Sequence, residues 1–444
     1  MTALHFGRVS TMPDGGQRID RSTEPFTRIT ALIVQVAVVA VGFDYKLSKG
    51  ITVGLALAAI TAPIWLPLMR RYSMATTILV IGVACLPWGY LLSERTAISH
   101  ALNETLRFNF FALMLSGLAT IAVLLWARQL FPLYHVVLLY GLGSLADAML
   151  FTERSFKFNL AIPVAFVVLG LVERFRNRVI AAGSIMAVGI IGVLDEGRSL
   201  FGFCLIAAAL TLWQIRPRGS SRTKANRWAP VLLMLVLCFG IYSIASSLLS
   251  SGVFGSALQD RTNNQINTSG NLLVGGRPEW AATRELIQLR PSGYGAGIVP
   301  SWADLQAGTA GLASINVDAG GYTTNYLFGG AIELHSVAAD LWAHFGWMGA
   351  LLAIIMLVAL VRSMSTLVAE HRAATSVLFG CSLAIWYLCF GPIYSNWIDV
   401  CAALGISLLA RAAPPSDGPV AATPADQGAR GEIRTHTPHR GRGV

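Results

Sequence analysis

Charge is what this chain has least of. Only 13% of its 444 residues are Asp, Glu, Lys or Arg, where a soluble domain carries about a quarter. With 54% apolar residues and a mean hydropathy of +0.59, that scarcity excludes an ordinary soluble domain and indicates a polytopic membrane protein. A cleavable signal peptide is also missing: the first 28 residues are polar, and no short apolar core leads to a small-residue cleavage site. Cysteine is sparse. The six, at 85, 204, 238, 381, 389 and 401, all fall in apolar runs and read as small buried hydrophobes, not as a disulfide or metal framework. No Asp-x-Asp occurs, and the His and carboxylates outside the apolar runs lack compact ligand spacing, so no metal and no other cofactor is expected.

What is present is a series of twelve apolar segments: 29–43, 50–69, 74–92, 108–127, 131–151, 158–172, 179–194, 199–215, 229–250, 336–361, 374–390 and 394–410. Lipid offers backbone polar groups no partner, so each is expected to be a helix. The fold class is therefore an all-α membrane protein of about twelve spans. With the N-terminus placed in the cytoplasm, 22 Lys and Arg fall on the cytoplasmic side and 11 opposite. The positive-inside rule then puts both termini inside and the long loop of 251–335 outside. The net charge of +10 is thus mostly a topology signal rather than a nucleic-acid footprint. The chain divides into a cytoplasmic segment 1–28, spans one to nine over 29–250, the loop 251–335, spans ten to twelve over 336–411, and a Pro/Gly/Arg-rich tail 412–444 expected to be disordered. No internal repeat is visible.

Three stretches on the outer side stand out. Asp195-Glu196-Gly197-Arg198-Ser199 sits between spans seven and eight, where charges are either mutually satisfied in a turn or functional. Gly276-Arg277-Pro278-Glu279-Trp280 leads into Arg290-Pro291-Ser292-Gly293-Tyr294-Gly295. Pro278 suits a helix start, Glu279 its first turn, and Pro291 a stop, which predicts a helix over 278–290 with Trp280, Thr283, Arg284 and Ile287 on one face. Arg277 beside that helix start makes an anion site. The same pattern also fits an interfacial helix anchored by Trp and Arg. His335 opens the tenth span, where an imidazole is either a structural hydrogen-bonding group or a base, and Gly346 and Gly349 follow it.

Together these stretches resemble the O-antigen ligase and polymerase superfamily of bacterial polysaccharide assembly. The resemblance rests on Gly197-Arg198-Ser199, Gly276-Arg277-Pro278-Glu279-Trp280, Pro291-Ser292-Gly293-Tyr294-Gly295, and His335 with glycines eleven and fourteen positions on. It covers about 195–361 by motif. Ser336 stands where Asn is usual, His344 where an acidic residue is usual, and 304–332 matches no family pattern. The resemblance implies a GT-C-like, metal-independent membrane glycosyltransferase in the bacterial inner membrane. Its donor is a polyprenyl-pyrophosphate-linked glycan, and its acceptor a glycan, lipid or protein. His335 is then the general base, and Arg198 and Arg277 stabilise the leaving pyrophosphate. Arg284 and Arg290 are further substrate contacts, while Trp280, Tyr294, Trp302 and Tyr322 stack on sugars or anchor the loop. The rival from another class is a twelve-span transporter or flippase using Asp147, near the outer end of span five.

Overall fold

The computed structural model describes residues 24–411, apart from 49, 153–154, 196, 217–231, 237–238, 241–242, 244–246, 248–249, 252–255, 270–275 and 318–320. The expected segments 1–28 and 412–444 therefore lie largely or wholly outside the described residues, as does most of the ninth apolar segment.

The chain is almost wholly helical. A single antiparallel pair, β1 (Lys46–Ser48) and β2 (Ile51–Thr52), interrupts it among the described residues. The first part runs through α1 (Glu24–Phe43), α2 (Val53–Ile60), α3 (Ala62–Trp65), α4 (Ala75–Thr96), α5 (Glu104–Leu130), α6 (Leu133–Phe151), α7 (Ala161–Val172), α8 (Arg178–Leu194) and α9 (Arg198–Trp213). The loop region holds α10 (Ser256–Ser269), α11 (Glu279–Leu289), α12 (Trp302–Ala313) and a π-helical turn, Tyr322–Leu327. The chain closes with α13 (Val337–Ala369), α14 (Thr375–Phe390) and α15 (Ile393–Ser407).

Helices cover eleven of the twelve apolar segments. The second is a broken pair, Val53–Ile60 and Ala62–Arg71, bent by 62° where Pro63 supplies no N–H to continue one rod. Five helices are long and apolar enough to cross a membrane: Ala75–Thr96, Glu104–Leu130, Leu133–Phe151, Phe156–Phe175 and Val337–Ala369. The bent pair makes a sixth if it is one span. The protein is an all-α membrane protein.

α5 is the hub. Its apolar window is 83% buried, against 33% for α4 and α6. It packs on α1, α2 and α15. Small residues permit that closeness: a Cβ on Gly117 would collide with the Trp397 indole and the Cys401 Sγ of α15. The loop region sits at one end of this bundle. There Asn103 donates its N–H to Gly297 O (2.8 Å) and Val299 to Ala101 O (2.9 Å). It has its own apolar core, including Ala282, Leu286, Tyr294, Leu312 and Trp342.

Candidate active site

The residues that place the site are glycines and carbonyls. The turn after α11 is threaded between α4, α5 and α13. Both Tyr294 and Gly295 donate their N–H to Ala343 O (2.8 and 2.9 Å), and the Trp342 indole donates to Pro291 O (3.1 Å). Gly295 has φ +102°, and a Cβ there would strike the Ser93 backbone. On the other side α13 breaks its helical geometry at Gly346 (φ +56°, ψ −144°), where a Cβ would lie 2.5 Å from Ser292 O. Gly349 lies opposite Leu341 O across the same kink. The glycines eleven and fourteen positions after His335 therefore shape the helix that carries it.

His335 lies just before α13, with only 8% of its surface exposed. Its φ is +52°, a left-handed conformation that costs a non-glycine residue about 1–2 kcal/mol. Surrounding bonds hold it there. Glu333 donates its N–H to Leu327 O (2.9 Å). Ser336 accepts from the Ala339 N–H (3.2 Å) as the cap of α13 and donates to Leu388 O (2.8 Å). The imidazole stacks on Tyr326, with ring centroids 3.8 Å apart and planes 15° apart. Nδ1 lies 3.1 Å from Glu333 O. A carbonyl oxygen only accepts, so Nδ1 carries the proton and Nε2 keeps its lone pair. Burial holds the imidazole pKa below its ordinary value, and the charge of Arg277 acts in the same direction, against Glu279 and the Glu333 carbonyl. The ring is therefore a neutral base at pH 7.

Arg277 precedes α11 and is half-buried, its guanidinium 5.5 Å from the centre of the Trp386 ring. Among the described residues it makes no ion pair. Its charge bears on His335, Tyr322 and Tyr326, as does that of the buried Glu279. Tyr322 donates its hydroxyl to Glu279 Oε1 (2.7 Å), and its ring lies 4.8 Å from Tyr326. The result is a neutral imidazole, a carboxylate and a guanidinium with no ion pair among the described residues, set beside two tyrosines. That set can take a proton from a hydroxyl and hold developing negative charge beside it.

The helix expected over 278–290 is observed as Glu279–Leu289. Glu279, Ala282, Thr283 and Leu286 are buried, while Trp280, Arg284 and Ile287 are exposed. The Trp280 indole donates to Cys389 O (2.8 Å), an anchor at the end of α14. Arg284 faces solvent and pairs with its neighbour Glu285 (2.7 Å). Arg290 points to α4, within 3.4 Å of the Thr96 and Ser99 hydroxyls. Tyr294 is fully buried, donating to Asp304 Oδ1 (3.0 Å), so it offers no face to a sugar. His335 and Arg277 thus come together, and Arg284, Arg290 and Tyr294 stand apart from them. Arg198 opens α9, and its side chain lies outside the described residues. Phe203 of that helix meets Trp386 (5.7 Å between ring centroids), the ring under Arg277, so α9 reaches the same neighbourhood.

No family model, curated protein or solved structure matches this chain. The site's own geometry is what bears on function.

Sequence reasoning did not single out Tyr326, and it read Glu279 only as a first-turn acid. The four-residue spacing of Tyr322 and Tyr326 in 304–332 was the available signal, since such a pair shares a helix face. Ser301-x-x-Asp304 was another: it forms a capping box that starts α12. Among the described residues, no group of three or more His, Cys, Asp or Glu is placed to hold a metal ion.

Proposed function

We propose that this protein is a membrane glycosyltransferase of the O-antigen ligase type. It moves a glycan from a polyprenyl-pyrophosphate carrier to an acceptor hydroxyl at the outer face of the bacterial inner membrane. The fold belonging to this reading is GT-C-like, with about twelve spans and both termini in the cytoplasm. One observation carries it: the Arg277 guanidinium, with no ion pair among the described residues, acts on the same site as a neutral buried imidazole whose Nε2 is left to accept a proton. In the reaction, the acceptor O–H gives its proton to His335 Nε2 as the oxygen attacks the anomeric carbon. The bond from that carbon to the pyrophosphate breaks, its electron pair passing to the phosphate oxygen. Arg277 stabilises that charge, where fixed cations act strongly in a partly dehydrated site.

The test is to delete the gene, complement with wild type or His335→Ala, and size the lipid-linked glycans that accumulate. Long chains stranded on the carrier mean a lost ligase. Single repeat units mean a lost polymerase, the sister activity with the same machinery. An unchanged profile rejects the reading. A transporter is the second reading, and one observation favours it: Asp147 shares the field of Lys46 with Asp44, and Asp44 in turn bears on Asp399, which accepts from Tyr140 (3.3 Å). Under it, Asp147→Asn abolishes function and His335→Ala is tolerated.

A further inference from the structure

Asp340 has no part in the chemistry above, yet it is fully buried one turn into α13. Both carboxylate oxygens accept backbone N–H groups from outside its own helix. Oδ1 accepts from Leu334 (2.6 Å) and Oδ2 from Ile393 (2.9 Å). Leu334 is the residue before His335, and Ile393 is the first residue of α15. One side chain therefore ties three things together: the irregular segment that carries His335, the helix that follows it, and the start of α15.

We propose that Asp340 is a positioning residue for transfer, holding His335 in its left-handed conformation with Nε2 toward the reacting hydroxyl. The inference rests on the glycosyltransferase reading of His335. A left-handed His is less favourable than an ordinary one, so it persists only where neighbouring bonds over-determine it. The Leu334 bond fixes the Glu333–Leu334 peptide, one unit before the strained residue, and the Ser336 side-chain cap fixes the residue after it at the start of α13. A carboxylate suits this place because both partners are donors. An amide would turn its NH2 toward one of them and lose that bond. Released, the loop swings away from Tyr326 and water reaches the ring.

The test uses the full-length protein in membrane vesicles carrying the host's own lipid-linked glycan. Initial transfer rates are measured against pH, with folding checked by monodisperse extraction in detergent. His335 is faced by Arg277, Glu279, Tyr322, Tyr326 and Glu333, which are unaltered in every variant. Asp340→Asn is expected to lower the saturating rate by 10-fold or more with little change in half-saturation. It also moves the acid limb of the profile to higher pH, because a hydrated imidazole regains its ordinary pKa. In a His335→Ala background, Asp340→Asn costs nothing further. Asp340→Ser, smaller and with one acceptor, is expected to shift the limb the same way if the Asn variant does not extract as folded protein. A folded variant with a wild-type rate and an unmoved acid limb overturns the positioning role. If His335→Ala itself transfers normally, the glycosyltransferase reading is what fails.

Discussion

At the scale of the residue, the site turns on two side chains with unequal neighbours. Arg277 has an aromatic face and no ion-paired carboxylate among the described residues, whereas Arg284 already has Glu285. Arg277→Ala is therefore expected to lower transfer by about 100-fold, roughly 3 kcal/mol, the scale of one lost electrostatic donor in a closed site. Arg284→Ala should cost far less, and equal losses in an initial-rate comparison would refute this ranking. His335 sets the pH dependence. Its pKa lies below the ordinary imidazole value, so the base is neutral through pH 7 and activity falls only as pH drops through that lowered value. A rate profile whose acid limb lies above pH 7 would contradict the burial argument. Asp44 makes the opposite case, in stability. Burial raises its carboxyl to about 6. Its folded pKa exceeds the unfolded value, so the folded state is favoured most below about pH 4 and loses stability as pH rises through 6. Asp44→Asn should raise the melting temperature at pH 7.5 and change it little at pH 4. Of these residues, His335 and Arg277 were legible in the sequence, since cations and an imidazole are rare near apolar segments. Glu279 and Asp340 were not, because a carboxylate's role depends on which donors the fold brings to it.

At the scale of the element, a turn and a kinked helix are made for each other. α11 was readable from Pro278, Glu279 and Pro291, because helix ends are written in local chemistry. Its inward face was not, because Ala282 and Leu286 pack into a second core with Leu312 of α12 and Trp342 of α13, which are distant in sequence. The same holds for Gly346. Its spacing from His335 was visible, and the spacing reads as a smooth packing face. The structure shows instead a break in α13 that admits the Pro291–Gly297 turn. Gly346→Ala adds a Cβ in the left-handed region and against Ser292 O, so it should destabilise by about 2–4 kcal/mol. Gly183→Ala in α8 is the control: nothing lies within 4 Å of a Cβ there, and alanine is the better helix former. Equal melting temperatures for the two variants in detergent would mean the kink is not a constraint. The start of α12 carries a pH signature of its own. Burial alone would raise the Asp304 carboxyl, but donors from Ser301 and His100 outweigh it and hold it below the ordinary value. Its contribution is present above about pH 3.9 and lost as pH falls through the lower folded value.

At the scale of the whole molecule, what matters is which side of the membrane the site faces. Helical segments were legible almost everywhere, because apolar runs long enough to bury themselves in lipid are unambiguous. The broken pair at Pro63 was the exception, a prolyl effect hidden inside a continuous apolar run. The structure places α4, α5, α13, α14 and α15 so that the ends touching the loop region fall together. Which side of the membrane that end faces follows from charge alone, with twice as many Lys and Arg opposite the loop as beside it. That inference is open to direct test. Cys85, Cys204, Cys381 and Cys401 are buried, so only Cys389 and Cys238 need replacing before single exposed cysteines are introduced. Ser314 is exposed after α12, and Arg174 is exposed between α7 and α8. In spheroplasts, a membrane-impermeant maleimide should label Ser314→Cys at once and Arg174→Cys only after the membrane is opened. The reverse pattern would put His335 and Arg277 in the cytoplasm. No outer-face transfer would then be possible, however well the site geometry suits it.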